Sequence, residues 1–222
     1  MASIMLLACN SPIAKPVLDD PDENEVTSNG LSYYGEHDIE LVKAADGSIE
    51  ADSVYYTIPK FSFTNQDGKN VSFRDYEGKI FVADFFFTTC KSICPAMSSQ
   101  MTRLQGLVKK EGLQDKVMFL SHSVKPEEDS PEVLKAYGDA LGADFSNWNF
   151  VTGKADDIYE LAQEGYMLTA FPSDTAEGGV FHTDKFTLID TGMHIRGYYD
   201  GTATNSVDKL FEDIKWLVKE KQ

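Results

Sequence analysis

The sequence predicts an α/β sandwich in which helices flank a central mixed sheet, preceded by an N-terminal β-hairpin. Three observations point there. The run Ile80-Phe81-Val82-Ala83-Asp84-Phe85-Phe86-Phe87 is nearly continuously apolar, which suits a strand covered on both faces. Downstream of it, short apolar runs alternate with segments of helical spacing. The chain closes with two short strands and a helix carrying a wide apolar stripe.

The elements follow in order. Ile58, Phe61 and Phe63 form a partly alternating cluster, Asn65-Gln66-Asp67-Gly68 supplies turn chemistry, and Val71 and Phe73 resume the alternation. That reads as a β-hairpin. After the buried strand, Met97, Met101, Leu104 and Leu107 or Val108 give helical spacing from Pro95 to about Lys110, and Gly112 stops it. Val117 to Val124 is the next strand. Ser130 caps a helix with Pro131 in its first position, and Val133, Leu134, Tyr137 and Leu141 are expected on its buried face. Asn149 to Val151 reads as a short strand and Asp156 to Gly165 as a helix. Lys185–Asp190 and His194–Tyr199 form a hairpin turning at Thr191-Gly192. The last helix, from about Asn205 to Lys219, buries Val207, Leu210, Phe211, Ile214, Leu217 and Val218. Alternating βαβ units closed by an antiparallel hairpin and a helix fit a thioredoxin-like sandwich.

The chemistry concentrates in Thr88-Thr89-Cys90-Lys91-Ser92-Ile93-Cys94-Pro95, where the buried strand gives way to a helix. Open α/β folds place their sites at such carboxyl ends. Pro95 is expected to hold Cys94 just outside the helix, as N-cap or the residue before it. The helix start and Lys91 would then favour a thiolate. Cys90 and Cys94 are close enough in sequence for a disulfide or for joint chelation. The three-residue spacer is one longer than the usual redox motif of this fold, which favours chelation without forbidding redox chemistry. Two thiolates suit Cu(I) well and Zn(II) acceptably. The bland reading, a structural disulfide or inert core thiols, fits a strand-to-helix junction poorly.

Tight, exchangeable copper binding calls for a third ligand, and the candidates are His37, His122, His182 and His194. His37 lies in a polar segment and is expected to be solvated. His122 and His194 read as ordinary surface or edge residues. His182 sits in a loop after Gly178-Gly179, a loop that can approach the cysteines in this fold. Met97 and Met101 read as core stripe rather than ligands, and Trp148 as packing. Asp84 and Asp129 are nearby acids, with Asp129 read as a pre-helix turn carboxylate.

From about Tyr56 onward the chain resembles the Sco/SenC proteins. The resemblance rests on Phe85 through Pro95, Ser123-Val124-Lys125-Pro126-Glu127-Glu128-Asp129-Ser130, Trp148 to Gly153, His182 through Asp190, and Arg196-Gly197-Tyr198-Tyr199. It implies a copper-binding thioredoxin-fold protein that helps to build the CuA centre of cytochrome c oxidase. The implied metal ligands are Cys90, Cys94 and His182, holding Cu(I) or Cu(II). The implied partners are the copper-bearing oxidase subunit and other copper carriers. The chain departs from the family pattern at Lys125, where the family usually has an acid before the proline. The competing expectation is a thiol–disulfide oxidoreductase, with Cys90 and Cys94 as its redox pair and Cys90 as the nucleophile. Peroxide reduction ranks lower, because no Arg lies near Cys90 in the sequence.

The remaining expectations concern organisation. The domain is expected over residues 53–222. Residues 10–52 read as an acidic tether and approach segment, with Asp19-Asp20-Pro21-Asp22-Glu23 at its most acidic. Residues 1–9 read as a shortened lipoprotein signal ending at the lipobox Leu6-Leu7-Ala8-Cys9, although no Lys or Arg precedes Cys9. A lipid on Cys9 would anchor the domain to a bacterial membrane, on the extracytoplasmic side. No later segment approaches the roughly 20 apolar residues of a spanning helix. A formal charge of −16 argues against nucleic acid as a partner.

Overall fold

The structure is a computed structural model and describes residues 30–43 and 48–220. Cys9, its lipobox and tether residues 10–29 lie outside them. The elements are β1 (His37–Lys43), β2 (Ile49–Tyr55), β3 (Ser62–Asn65), β4 (Asn70–Ser72), β5 (Ile80–Phe86), α1 (Cys94–Lys110), β6 (Val117–Ser123), α2 (Pro131–Leu141), β7 (Trp148–Thr152), α3 (Ala155–Glu160), β8 (Ala170–Pro172), β9 (Val180–His182), β10 (Lys185–Ile189), β11 (Ile195–Asp200) and α4 (Thr204–Glu220). Seven strands form one mixed sheet in the order β11-β10-β5-β6-β7-β3-β4. Within it β5, β6 and β7 run parallel, while β10 and β3 are antiparallel to β5 and β7. This is the thioredoxin-like architecture that the element order predicts.

Every residue of β5 is buried, as its unbroken apolar run requires. On one face of the sheet Phe86 packs on Tyr137 of α2 and Phe150 of β7. On the other, Phe85 stacks on His122 and meets Tyr166 edge-on. Each large side chain so buried contributes roughly 1.5–3 kcal/mol. Ser130 accepts from the Val133 N–H at the start of α2, and Gly142 ends that helix in the left-handed region at φ 71°. Val133 is 39% exposed rather than buried. The inward stripe runs through Leu134, Tyr137 and Leu141, and Val133 lies about 100° round the helix from its neighbour.

Two strand pairs lie outside the main sheet. The segment expected as an approach to the domain folds as the β1–β2 hairpin, in register from His37 opposite Tyr55 to Lys43 opposite Ile49. It spans the expected boundary between residues 52 and 53. Its strands are too polar in alternation to read as core, and Ile39, Leu41 and Ile49 are largely exposed. The second pair is the β8–β9 ribbon, which places His182 in a strand rather than a loop; each strand has only three residues, too few to show a period in the sequence. Among the described residues, no helix is long and apolar enough to cross a membrane.

Ahead of β1, residues 31–34 are strapped to the domain by buried Arg196. It donates to the carbonyls of Leu31 and Ser32, stacks on Tyr33 at 4.0 Å and pairs with Asp190 at 2.9 Å. Burial works to raise the Asp190 carboxyl, but hydrogen bonds and charge from His194 and Arg196 outweigh it and push the group down to about 2. A depressed folded-state pKa stabilises above the unfolded value near 4 and loses that stability as pH falls through 2. Stability should therefore drop by about 2 kcal/mol between pH 5 and pH 2 from this group alone. Urea unfolding of Asp190→Asn checks it: the variant should lose that part of the acid dependence, and an unchanged pH profile would refute the assignment.

Candidate metal centre

The strand β5 delivers the chain into the loop that carries Cys90. The Cys90 N–H bonds back to the Phe87 carbonyl at 3.3 Å, which turns the loop toward α1. The expectation that Pro95 keeps Cys94 out of the helix is corrected here. The helix begins at Cys94, with Ile93 as N-cap in right-handed helical conformation. The first N–H groups of a helix have no partner within it, so proline in the first turn sacrifices no hydrogen bond. The loop is pinned from below by Asp129, which is fully buried. Asp129 accepts from the backbone N–H and the hydroxyl of Thr88 and from the hydroxyl of Ser123. It is thus more than a turn carboxylate, since it joins the cysteine loop to the loop after β6.

The third component arrives on the ribbon. His182 ends β9, opposite Ala170 of β8, and lies in a strand rather than in the expected loop. Its Nδ1 donates to the Thr183 carbonyl at 3.0 Å. A carbonyl only accepts, so Nε2 keeps its lone pair, and Nε2 lies 3.7 Å from the Cys94 sulfur. The Phe87 ring stands edge-on to the imidazole, with centroids 5.6 Å apart. Gly178, at φ 72°, passes so close that a Cβ there would come within 2.6 Å of the Phe87 ring. Glycine at 178 therefore lets the ribbon seat on Phe87.

The structure brings Cys90, Cys94 and His182 together: one ligand atom from each lies within 4.8 Å of the others. The thiols are free and unequal. Cys90 is 8% exposed and Cys94 only 1%. Burial acts to raise the Cys90 thiol, but hydrogen bonds from Cys94 and Ser92 prevail and leave it below its ordinary value. Burial drives the Cys94 thiol well above its ordinary value, so the helix start does not acidify it as expected. Burial also holds His182 below the usual histidine range, which keeps the imidazole neutral and ready to ligate.

The other histidines lie apart from this cluster. His37 is exposed on β1, with its ring 6.0 Å from that of Tyr55. His194 pairs with Asp190 at 3.2 Å. His122 overturns the expectation of a surface or edge residue, because it is completely buried. It lies on β6, the middle strand of the seven, among Phe61, Phe63, Phe85 and Tyr166. Burial pushes its imidazole down to about 4, so it is a neutral core residue. Met97, Met101 and Trp148 are core, and the Trp148 indole donates to Ser121. Asp84 is buried beneath the site, and burial pushes its carboxyl up to about 7. The sequence marks Phe87 only as core strand. The signal for its second role is its place just before the cysteine loop.

The model of the SCO1/SenC family matches residues 50–219. A SCO1/SenC family lipoprotein from Bacillus anthracis is 36% identical, with TM-score 0.68, covering 73% of this chain and 95% of that one. BsSco, described as a member of the Sco family of cytochrome c oxidase assembly proteins and as having a disulfide switch, is 35% identical. Its TM-score is 0.65, over 73% of this chain and 93% of its own. Yeast Sco1 with copper bound is 26% identical, with TM-score 0.57, over 72% and 88%.

Proposed function

The chain belongs to the SCO1/SenC family, and on that premise we propose that it binds one copper ion through Cys90, Cys94 and His182. It delivers that ion to the copper-bearing subunit of a cytochrome c oxidase. The observation that carries this reading is the convergence of two sulfurs and a tautomer-fixed imidazole nitrogen within 4.8 Å. Two thiolates and one imidazole form a soft donor set that suits Cu(I). Yeast Sco1, 26% identical, has been crystallised with copper. The ion passes to the partner by ligand exchange, one sulfur at a time, starting at the more exposed Cys90. Anaerobic Cu(I) titration tests the site: one ion per chain is expected, and binding that ignores all three side chains would sink the reading.

A second reading has its own observation. The Cys90 thiol is held below its ordinary value and the Cys94 thiol above it, the asymmetry of an attacking and a resolving thiol. In this reading the dithiol reduces a partner's disulfide by exchange and is left as the Cys90–Cys94 disulfide, which an external thiol reductant returns to the dithiol. Thiol exchange that persists in His182→Ala, beside copper binding that never reaches one ion per chain, would favour it.

We also propose that Cys9 carries a lipid and that the acidic segment ahead of the strapped residues 31–34 tethers the domain to the outer side of a bacterial membrane. The lipobox supports this, and the similar Bacillus anthracis protein is described as a lipoprotein. In cells fed an alkyne fatty acid the protein should label, and labelling that survives Cys9→Ser would refute the anchor.

A further inference from the structure

We propose that the outer face of the β8–β9 ribbon, centred on Phe171 and Phe181, is the docking surface for a protein domain with an apolar contact ringed by Lys and Arg. This rests on the copper-delivery reading and names the face that the receiving domain grips.

The ribbon has two different sides. Ala170 pairs with His182, and the next pair is Phe171 with Phe181. Side chains alternate along a strand, so the Phe pair faces away from the side on which buried Ala170 and His182 meet the body. The two rings stack with centroids 5.5 Å apart and planes 18° from parallel. They are 44% and 49% exposed. An exposed, preassembled aromatic pair is the kind of anchor that dominates protein interfaces. The ribbon belongs to no larger sheet, and its inner side bears the third member of the metal cluster.

Charge selects the occupant. From β8 to the end of β9, residues 170–182, the chain has two acidic residues and neither Lys nor Arg, and Lys185 beyond it is paired with Asp184 at 3.4 Å. The whole chain carries −16. Such a field speeds encounter with a basic surface and repels an acidic one. A receiving domain must also bring its own ligands to Cys90 at the rim of the site. Contact with the ribbon beside that rim places it within reach.

The test is stopped-flow transfer of Cu(I) from the full-length protein to the purified soluble copper-binding domain of its organism's oxidase subunit. The double variant Phe171→Ser/Phe181→Ser should bind Cu(I) as the unaltered protein does, yet transfer it at least about tenfold more slowly. Raising salt should slow transfer by the unaltered protein. Val133→Ser, at an exposed apolar position on α2, should change nothing. Transfer that is indifferent to the double substitution would overturn the docking face alone. No transfer by the unaltered protein would overturn the delivery reading and the docking face with it. Sedimentation that shows a dimer dissolved by the double substitution would give the face to a second copy of this chain, and would also overturn the proposal.

Discussion

Cys94→Ala is expected to abolish stoichiometric Cu(I) binding. Substitutions around a metal site that leave its ligands in place typically weaken affinity roughly 10–100-fold, so loss of a ligand should exceed a hundredfold. Cys94 is the central member of the cluster: its sulfur lies 3.7 Å from His182 Nε2 and shares a hydrogen bond with Cys90. Removing it leaves one thiolate and one imidazole, a harder and smaller donor set than the three that converge. Cys90→Ala should be nearly as severe. His182→Ala should be milder, because the two sulfurs remain and form a weaker, two-coordinate site. Metal entry must also displace the proton of the Cys94 thiol, which burial holds well above the ordinary value. Affinity should therefore rise with pH across the neutral range. Competition titration against a colorimetric Cu(I) chelator at pH 6 and pH 8 measures both effects. Equal affinity in Cys94→Ala would remove this residue from the site.

The parts of the fold with strong periodicity were legible. The β5 run, the α1 and α4 stripes and the Ser130-Pro131 start of α2 each carry enough local signal to fix type and place. The cysteine pair was legible because its position at a strand-to-helix junction is local too. His182 was not legible from periodicity, since its strand is three residues long and its meeting with Cys94 spans 88 positions; the family resemblance supplied it. His122 misled because a lone polar residue in a strand reads as surface, and only the order of strands in the sheet puts β6 in the middle. The thiol asymmetry also escaped. The helix start argued for an acidic Cys94, but burial is a tertiary property and it wins.

Lys125 reaches the ring on which the ribbon seats. Its ammonium pairs with Glu128 at 2.5 Å and lies 5.3 Å over the Phe87 ring. The same ring supports His182 from its edge. A cation on an aromatic face is favourable by about 0.5–1 kcal/mol at partly exposed sites. Lys125 therefore braces the ribbon's seat through the Phe87 ring, and Glu128 sets a carboxylate beside it.

Asp129→Ala should produce the largest loss of stability of any single change near the site, about 3–5 kcal/mol. Its carboxylate is fully buried and accepts three hydrogen bonds, two from Thr88 and one from Ser123. Truncation leaves those donors facing an apolar void, and each buried unpaired polar group costs about 1–3 kcal/mol. Thr88 is half-buried, so water recovers part of its share. Asp129→Asn should cost less, since one carbonyl oxygen still accepts and hydroxyls can rotate to meet the amide. The consequence reaches the metal cluster, because Thr88 stands two residues before Cys90. With its tie to the loop after β6 cut, the cysteine loop samples geometries in which its sulfur is displaced from Cys94 and His182. Cu(I) affinity should then fall roughly tenfold, the scale of an outer-shell change. Urea unfolding and chelator competition on both variants separate the two effects. Full stability in Asp129→Ala would mean that the three hydrogen bonds are not worth what their burial implies. Lost stability with unchanged affinity would mean that the cysteine loop holds its shape without them.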